Sequence, residues 1–142
     1  MSNILKISEA ASIALHAMLI LASKGNKLVS VKDIAGKLNI SENHLSKVLQ
    51  RLAKAGLVVS IKGNKGGFRL AKNPDTINFL EIYEAIDGKF KPSACLLNKP
   101  SCSHACIMGD LMNSINKQIE EYFSKTKLTE FILLNKTSFL ED

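Results

Sequence analysis

Residues 41–70 read SENHLSKVLQRLAKAGLVVSIKGNKGGFRL, and this stretch decides the fold. Ser41 is a favoured helix N-cap, apolar residues then recur at helical spacing, and Gly56 predicts the end of that helix. The β-branched run at 57–61, the glycine-rich turn that follows it and the apolar residues at 68–70 predict a β-hairpin. The stretch is therefore expected to form a helix followed by a small hairpin.

A shorter helix is predicted immediately before this stretch. Ser30 is a second favoured N-cap, and residues 31–38 place their apolar side chains on one face. Asn39 and Ile40 leave only a tight connection to the next helix. Two helices joined by a turn of three or four residues are typical of a helix-turn-helix, and the hairpin after them would be its wing.

Further helices are predicted on both sides of this unit. Apolar periodicity indicates a first helix from Ile7 to Ala22, and another from Phe79 to Gly88 that is capped by Thr76 or Asn78. The predicted fold is mostly α with a small β-hairpin wing, a winged helix-turn-helix DNA-binding domain that occupies residues 1–88.

The C-terminal part predicts a loop and a dimerisation helix. Residues 89–106 hold two prolines and all three cysteines, which predicts an irregular loop of the length that usually has a function. A long amphipathic helix is expected from about His104 to Lys125, a short helix at 128–134 and a frayed tail after it. We assign residues 107–142 to dimerisation, because a partner helix would cover the apolar stripe of the long helix.

The bulk properties restrict the class of protein. A chain of 142 residues with a net charge of +6 suits one domain with an added dimerisation element and a polyanionic partner. Neither a signal peptide nor a membrane span is evident, so a cytoplasmic protein is expected and the three cysteines are not expected to form disulfides. No nucleophile–base pair, phosphate-binding loop or paired carboxylates are found, which disfavours an enzyme.

The third predicted helix has the side chains needed to read DNA bases. Asn43 and Gln50 can pair bidentately with adenine, Lys47 can reach guanine acceptors, and Ser46 can donate to or accept from a base edge. Residues at the helix start suit phosphate, while the hairpin cations suit phosphates or the minor groove. An isolated polar run is more often a solvated helix face, but here it coincides with a hairpin and a cationic excess. The predicted DNA-binding residues are Ser41, Asn43, His44, Ser46, Lys47, Gln50, Lys62, Lys65 and Arg69.

Three stretches, SENHL at 41–45, LQRLAKAGLV at 49–58 and GNKGGFRLA at 63–71, resemble the Rrf2 family of winged-helix transcription regulators. The resemblance covers nearly the whole chain and implies a dimer that binds a partly palindromic operator. In iron-sulfur regulators of this family a recognition-helix glutamate reads bases. Ser46 takes its place here, and Lys62 stands where the wing arginine is found. The family operator is therefore not expected to transfer.

The cysteine loop has the pattern Cys95-x6-Cys102-x3-Cys106. Thiolates ligate iron-sulfur clusters, and three on one loop make a plausible three-ligand site. The resemblance implies a [2Fe–2S] or [4Fe–4S] cluster, with a fourth ligand taken either near the third cysteine, where His104 and Asp110 lie, or from the partner subunit's first helix, where Glu9 stands. Structural zinc, oxidant-sensing thiols, a partner-protein site and merely semi-buried thiols remain alternatives.

These features together predict a homodimeric repressor or activator whose operator affinity depends on a cluster or a thiol redox signal. Two alternatives remain open. One is a cluster-free winged-helix regulator that senses oxidants or a partner protein, and the other is a zinc-stabilised protein-interaction module.

Overall fold

The computed structural model describes residues 7–93, 95 and 106–134. The described elements confirm the predicted mostly helical fold with a two-stranded antiparallel hairpin. In chain order they are α1 (Glu9–Ser23), α2 (Val31–Leu38), α3 (Glu42–Lys54), β1 (Val58–Ile61), β2 (Gly67–Leu70), a 3-10 turn (Pro74–Thr76), α4 (Phe79–Asp87), α5 (Leu111–Lys125) and α6 (Leu128–Leu134).

Helix α1 is the central element, and it packs against α2, α3, α4, α6 and β2. Four of its buried residues are alanines, Ala11, Ala14, Ala17 and Ala22, whose small side chains let neighbouring helices approach closely. Ser8 is its N-cap, and the Ser8 hydroxyl accepts the N–H of Ala11 at 3.0 Å.

The predicted helix-turn-helix forms from α2 and α3. The hydroxyls of Ser30 and Ser41 accept the N–H groups of Asp33 and His44, both at 3.1 Å, as expected of N-caps. Between the helices Asn39 is left-handed, with φ 54° and ψ 49°. Asparagine tolerates this conformation, which ends α2 and turns the chain into α3 within a few residues.

The wing is the hairpin of β1 and β2, extended by one residue from the α1–α2 connection. Val58 pairs with Leu70 and Ser60 with Phe68. Val29 adds a bridge to the outer edge of β2, because its N–H donates to the Phe68 carbonyl at 2.9 Å and its carbonyl accepts the Phe68 N–H at 2.8 Å. The wing is thereby fixed to the chain that enters the helix-turn-helix.

Helix α4 begins after the 3-10 turn. Of the two predicted caps, Asn78 is the N-cap, and its side chain accepts the Glu81 N–H at 2.8 Å, while the Thr76 hydroxyl donates to the Asn73 carbonyl. Backbone bonds from Phe79 to Thr126 and from Leu128 to Ile77 connect this start of α4 to the α5–α6 turn.

The long C-terminal helix is predicted to begin near His104. This prediction is wrong at residues 106–110, which are described and are not helical. Helix α5 begins at Leu111, after turns at 106–110 in which Gly109 has a φ of 57°. A left-handed residue interrupts a helix. The apolar periodicity of the sequence continues across this position, so it could not show the break. The predicted end near Lys125 and the final helix at 128–134 are confirmed.

The described residues form a single hydrophobic core beneath the helix-turn-helix. Phe123 and Leu128 belong to it, so the C-terminal helices pack on the same core as the winged unit. No helix in the described ranges is long and apolar enough to cross a membrane. The largest fully buried side chains are Met18, Ile20, Leu21, Ile34, Leu45, Leu49, Leu52, Ile77, Ile82 and Leu128.

Candidate nucleic-acid interface

The outer face of α3 presents a polar stripe to solvent. Asn43, Lys47 and Gln50 are all exposed, and their spacing of four and then three residues puts them on one helix face. The opposite face, which includes Leu45 and Leu49, is buried in the core. The core therefore holds α3 in one rotation about its axis and leaves three of the four predicted base-reading side chains fully outward.

The start of α3 has the geometry of an anion site. Ser41 is exposed, and its oxygen is occupied as an acceptor from the His44 N–H, which leaves the hydroxyl proton available to a phosphate. His44 and Ser46 are half-buried, so each lies at the flank of the exposed stripe. A helix N-terminus has a partial positive charge, which favours a phosphate at this end.

The wing places its cations at two distances from its tip. Lys62 and Lys65 are exposed in the turn between the strands, whereas Arg69 is half-buried on β2, paired with Val59. Arg69 also lines a surface cleft of about 470 Å³ with Asn26 and Lys72. The tip lysines are thus the wing cations best placed to reach DNA.

Two of the wing glycines are required because other backbone atoms lie very close to them. A Cβ on Gly66 would lie 2.1 Å from the Ile61 carbonyl oxygen, and one on Gly67 would lie 2.6 Å from that of Val29. Of the three wing glycines, Gly63 alone combines open space with a left-handed φ, 115°. Close packing against the backbone of Ile61 and Val29 therefore explains Gly66 and Gly67.

Among the residues that the structure describes, no acidic side chain forms an ion pair with an interface cation. Within the described ranges one ion pair is found, between Lys72 and Glu81 at 3.3 Å, and both side chains are a little less than half exposed. Lys47, Lys62 and Lys65 form no such pair with a described carboxylate. Their charge is therefore available to a polyanion.

Sequence reasoning missed two residues of α3. Lys54 is exposed four residues beyond Gln50 and continues the outer stripe, a spacing that the sequence already contained. Arg51 is different, because its guanidinium donates a hydrogen bond to the Ile86 carbonyl in the last turn of α4. No local pattern could have revealed that contact across 35 positions of the chain.

The predicted metal ligands are only partly described. Cys95 is half-buried and its backbone bonds to the Ser93 hydroxyl, whereas Cys106 is exposed. Glu9 is exposed in the first turn of α1. Cys102 and His104 lie outside the described residues. In the remainder, no three His, Cys, Asp or Glu side chains come together as a metal site.

Comparison with known proteins identifies the family. The model of the Rrf2 family, described as an iron-dependent transcriptional regulator, matches residues 7–133. The HTH-type transcriptional regulator NsrR of Bacillus licheniformis is 37% identical over 120 residues, which cover 83% of this chain and 83% of that protein. NsrR of Bacillus subtilis is 31% identical over 122 residues, covering 84% and 83%.

Solved structures agree with this assignment. The structure of CymR (YrzC), the global cysteine regulator of B. subtilis, superposes with a TM-score of 0.77 at 30% identity and covers 92% of this chain and 98% of that one. IscR of T. potens superposes with a TM-score of 0.69 at 28% identity, covering 94% and 88%. These relatives are transcription regulators and not enzymes. The chain belongs to the Rrf2 family of DNA-binding transcription regulators.

Proposed function

We propose that the protein is a homodimeric regulator that reads an operator with α3 and the wing, and that a signal at Cys95, Cys102 and Cys106 sets its operator affinity. The observation that supports the DNA-reading part best is the exposed stripe of Asn43, Lys47 and Gln50 on a helix whose other face is buried. Exposed wing-tip lysines extend the positive surface.

The side chains of the stripe match the chemistry of the major groove. Asparagine and glutamine can each form two hydrogen bonds with adenine, and lysine can donate to the O6 and N7 atoms of guanine. Each good pair contributes about 1–3 kcal/mol of discrimination against a wrong base. Ser41, His44 and the wing cations Lys62, Lys65 and Arg69 are assigned to phosphate or minor-groove contacts. Half-buried Ser46 is assigned to a base contact at the flank of the stripe. Lys54 would add a phosphate contact at the far end of α3.

A second copy of the chain is proposed to cover the apolar side of α5. Ile107, in the turn before α5, is 88% exposed, and Leu111 and Tyr122 of α5 are 52% and 51% exposed, although large apolar side chains are normally buried. A pair of antiparallel or crossing α5 helices would remove these side chains from water. The two recognition helices of the dimer would then meet half-sites about one DNA turn apart, roughly 34–36 Å.

The cysteines are proposed to hold an iron-sulfur cluster, [2Fe–2S] or [4Fe–4S]. The donor set fits, because thiolates are the usual ligands of such clusters. Cys95 and Cys106 are the first and last cysteines of the loop, and Cys102 lies between them in the sequence. Glu9 of the partner subunit, His104 or Asp110 would complete the ligand set. When bound, the cluster would supply a redox- or ligand-sensitive charge that alters the loop.

Binding-site selection tests the DNA-reading half. A pool of random DNA duplexes is enriched by the wild-type protein and by Lys47→Ala and Lys65→Ala, with Lys117→Ala as the control for an exposed lysine on α5. We expect Lys47→Ala to relax base preference and Lys65→Ala to weaken binding to all sequences and to lower its salt dependence. If neither variant differs from Lys117→Ala, the assigned surface is wrong.

Anaerobic purification with full iron supply tests the cofactor half. A cluster predicts visible absorption and equal recovery of iron and sulfide, with loss of colour in Cys106→Ser. Zinc without iron would support the zinc-stabilised alternative. A colourless and metal-free protein whose DNA affinity changes on thiol oxidation would support the cluster-free sensor.

A further inference from the structure

The last turn of α4, residues 83–87, bonds to three other parts of the chain. The first is the recognition helix: the Arg51 guanidinium donates to the carbonyl of Ile86. The last carbonyls of a helix have no partner within it, so this contact satisfies one of them with a charged donor. The contact fixes the C-terminal end of α3, which lies beyond the exposed base-reading stripe.

The second contact is with the start of α1. Both the backbone N–H and the hydroxyl of Ser8 donate to the Asp87 carboxylate, at 3.2 and 2.5 Å. Ser8 is also the N-cap of α1, so this residue both caps the start of α1 and bonds to the end of α4. The turn is thereby anchored to the central helix of the core.

The third contact is with the segment that leads to Cys95. The Phe90 N–H donates to the Glu84 carboxylate at 2.9 Å, and the Phe90 ring packs edge-on against Tyr83 with centroids 5.7 Å apart. Further along, the Ser93 carbonyl accepts a bond from Asn116 of α5 at 3.2 Å. The Ser93 hydroxyl also bonds to the backbone of Cys95. The cysteine segment therefore rests on both α4 and α5.

We propose that this turn is a joint through which the segment carrying Cys95 sets the position of the recognition helix, with Arg51 as the positioning residue. The Gly88 N–H, which lies between the segment and the turn, donates to the Glu84 carbonyl at 3.1 Å and closes the end of α4. Displacement of Phe90 would pull on Gly88 and unwind this turn. The Ile86 carbonyl would then rotate away from Arg51, and the end of α3 would lose its anchor.

The joint predicts a reciprocal effect, since a coupling free energy between two sites acts equally in both directions. Removal of the Glu84 contact should loosen the end of α3, and removal of Arg51 should loosen the segment after α4. Amide hydrogen exchange by mass spectrometry on the full chain measures both. The variants are Glu84→Ala and Arg51→Met, with Glu81→Ala and Lys54→Met as controls that leave the joint contacts in place.

We expect exchange at residues 52–56 to rise about fivefold or more in Glu84→Ala, and exchange at residues 88–91 to rise similarly in Arg51→Met. Neither control should have these effects, and Arg51→Lys should restore part of the protection because its ammonium can still donate to the carbonyl. Exchange in the α1 core around Met18 reports global unfolding and should stay unchanged. Changes confined to the mutated element, or equal changes in the controls, would overturn the joint.

The proposal that the joint transmits a regulatory signal rests on the proposed function. A second measurement tests the joint and the cysteine signal separately. The ratio of operator affinities between native and thiol-blocked protein should fall toward one in Glu84→Ala. One of the two forms of this variant, native or thiol-blocked, should still bind the operator as tightly as the same form of the wild type. A full ratio in Glu84→Ala would overturn the joint. A wild-type ratio of one would instead refute the cysteine signal, and the exchange data would still decide whether the joint exists.

Discussion

Replacement of Gly67 by alanine tests how the wing is attached to the helix-turn-helix. The added methyl group would lie 2.6 Å from the Val29 carbonyl oxygen and 2.8 Å from its carbonyl carbon. Contacts this short must be relieved, and these neighbours are backbone atoms that cannot rotate away. The strand has to move, and this movement strains the two hydrogen bonds between Val29 and Phe68.

The expected cost follows from these two effects. Overpacking of a well-packed site costs about 1–3 kcal/mol, and each weakened hydrogen bond contributes about 1 kcal/mol. We therefore expect Gly67→Ala to lower the free energy of unfolding by about 2–4 kcal/mol. For a chain of this size that corresponds to a fall in Tm of about 6–15 °C. Wing displacement should also weaken DNA binding.

Gly36→Ala is the matched control for this substitution. Gly36 lies in α2, is exposed, and a Cβ there meets no atom within 4 Å. Alanine in a helix interior is favoured over glycine by about 1 kcal/mol, so this variant should be slightly stabilised. Urea unfolding at a fixed protein concentration measures both. If Gly67→Ala were as stable as Gly36→Ala, the attachment of the wing through Val29 would be refuted.

Three further predictions concern stability. Leu128→Ala, at a fully buried position of α6, should cost about 2–5 kcal/mol in urea unfolding, and a loss below about 1 kcal/mol would show that α6 is not part of the core. At left-handed Asn39, glycine should be tolerated whereas alanine costs about 1 kcal/mol or more, and equal Tm values for the two variants would contradict that backbone conformation. Burial, and then the nearby Asp87 and Glu84 carboxylates, raise the pKa of Tyr83 above 10.0. The unfolded chain would ionise first, so stability should fall as the pH rises above about 10, and Tyr83→Phe should show a shallower fall in urea midpoint.

Local chemistry made much of the fold predictable from the sequence. Ser30 and Ser41 cap their helices as predicted, because an N-cap depends only on the next three residues. The hairpin followed from β-branched runs around a glycine-rich turn. The exposed face of α3 followed from helical periodicity, since the buried face determines which residues remain outside.

Contacts between distant residues could not be predicted in this way. Arg51 resembles any exposed helix cation until α4 brings a carbonyl to it. The need for Gly67 arises from Val29, which belongs to a different segment. The late start of α5 depends on one left-handed glycine, Gly109, inside an apolar pattern that otherwise continues. Each case depends on tertiary geometry that one-dimensional periodicity does not contain.

The most direct test of the central claim is the enrichment of random DNA duplexes by wild-type protein and by the triple variant Asn43→Ala, Lys47→Ala, Gln50→Ala. A homodimer that reads bases with α3 predicts that the wild-type protein selects a partly palindromic sequence with half-sites about one helical turn apart. The triple variant, folded as judged by urea unfolding, should select no such sequence. Selection of the same sequence by both proteins, or of none by the wild type, would contradict the account.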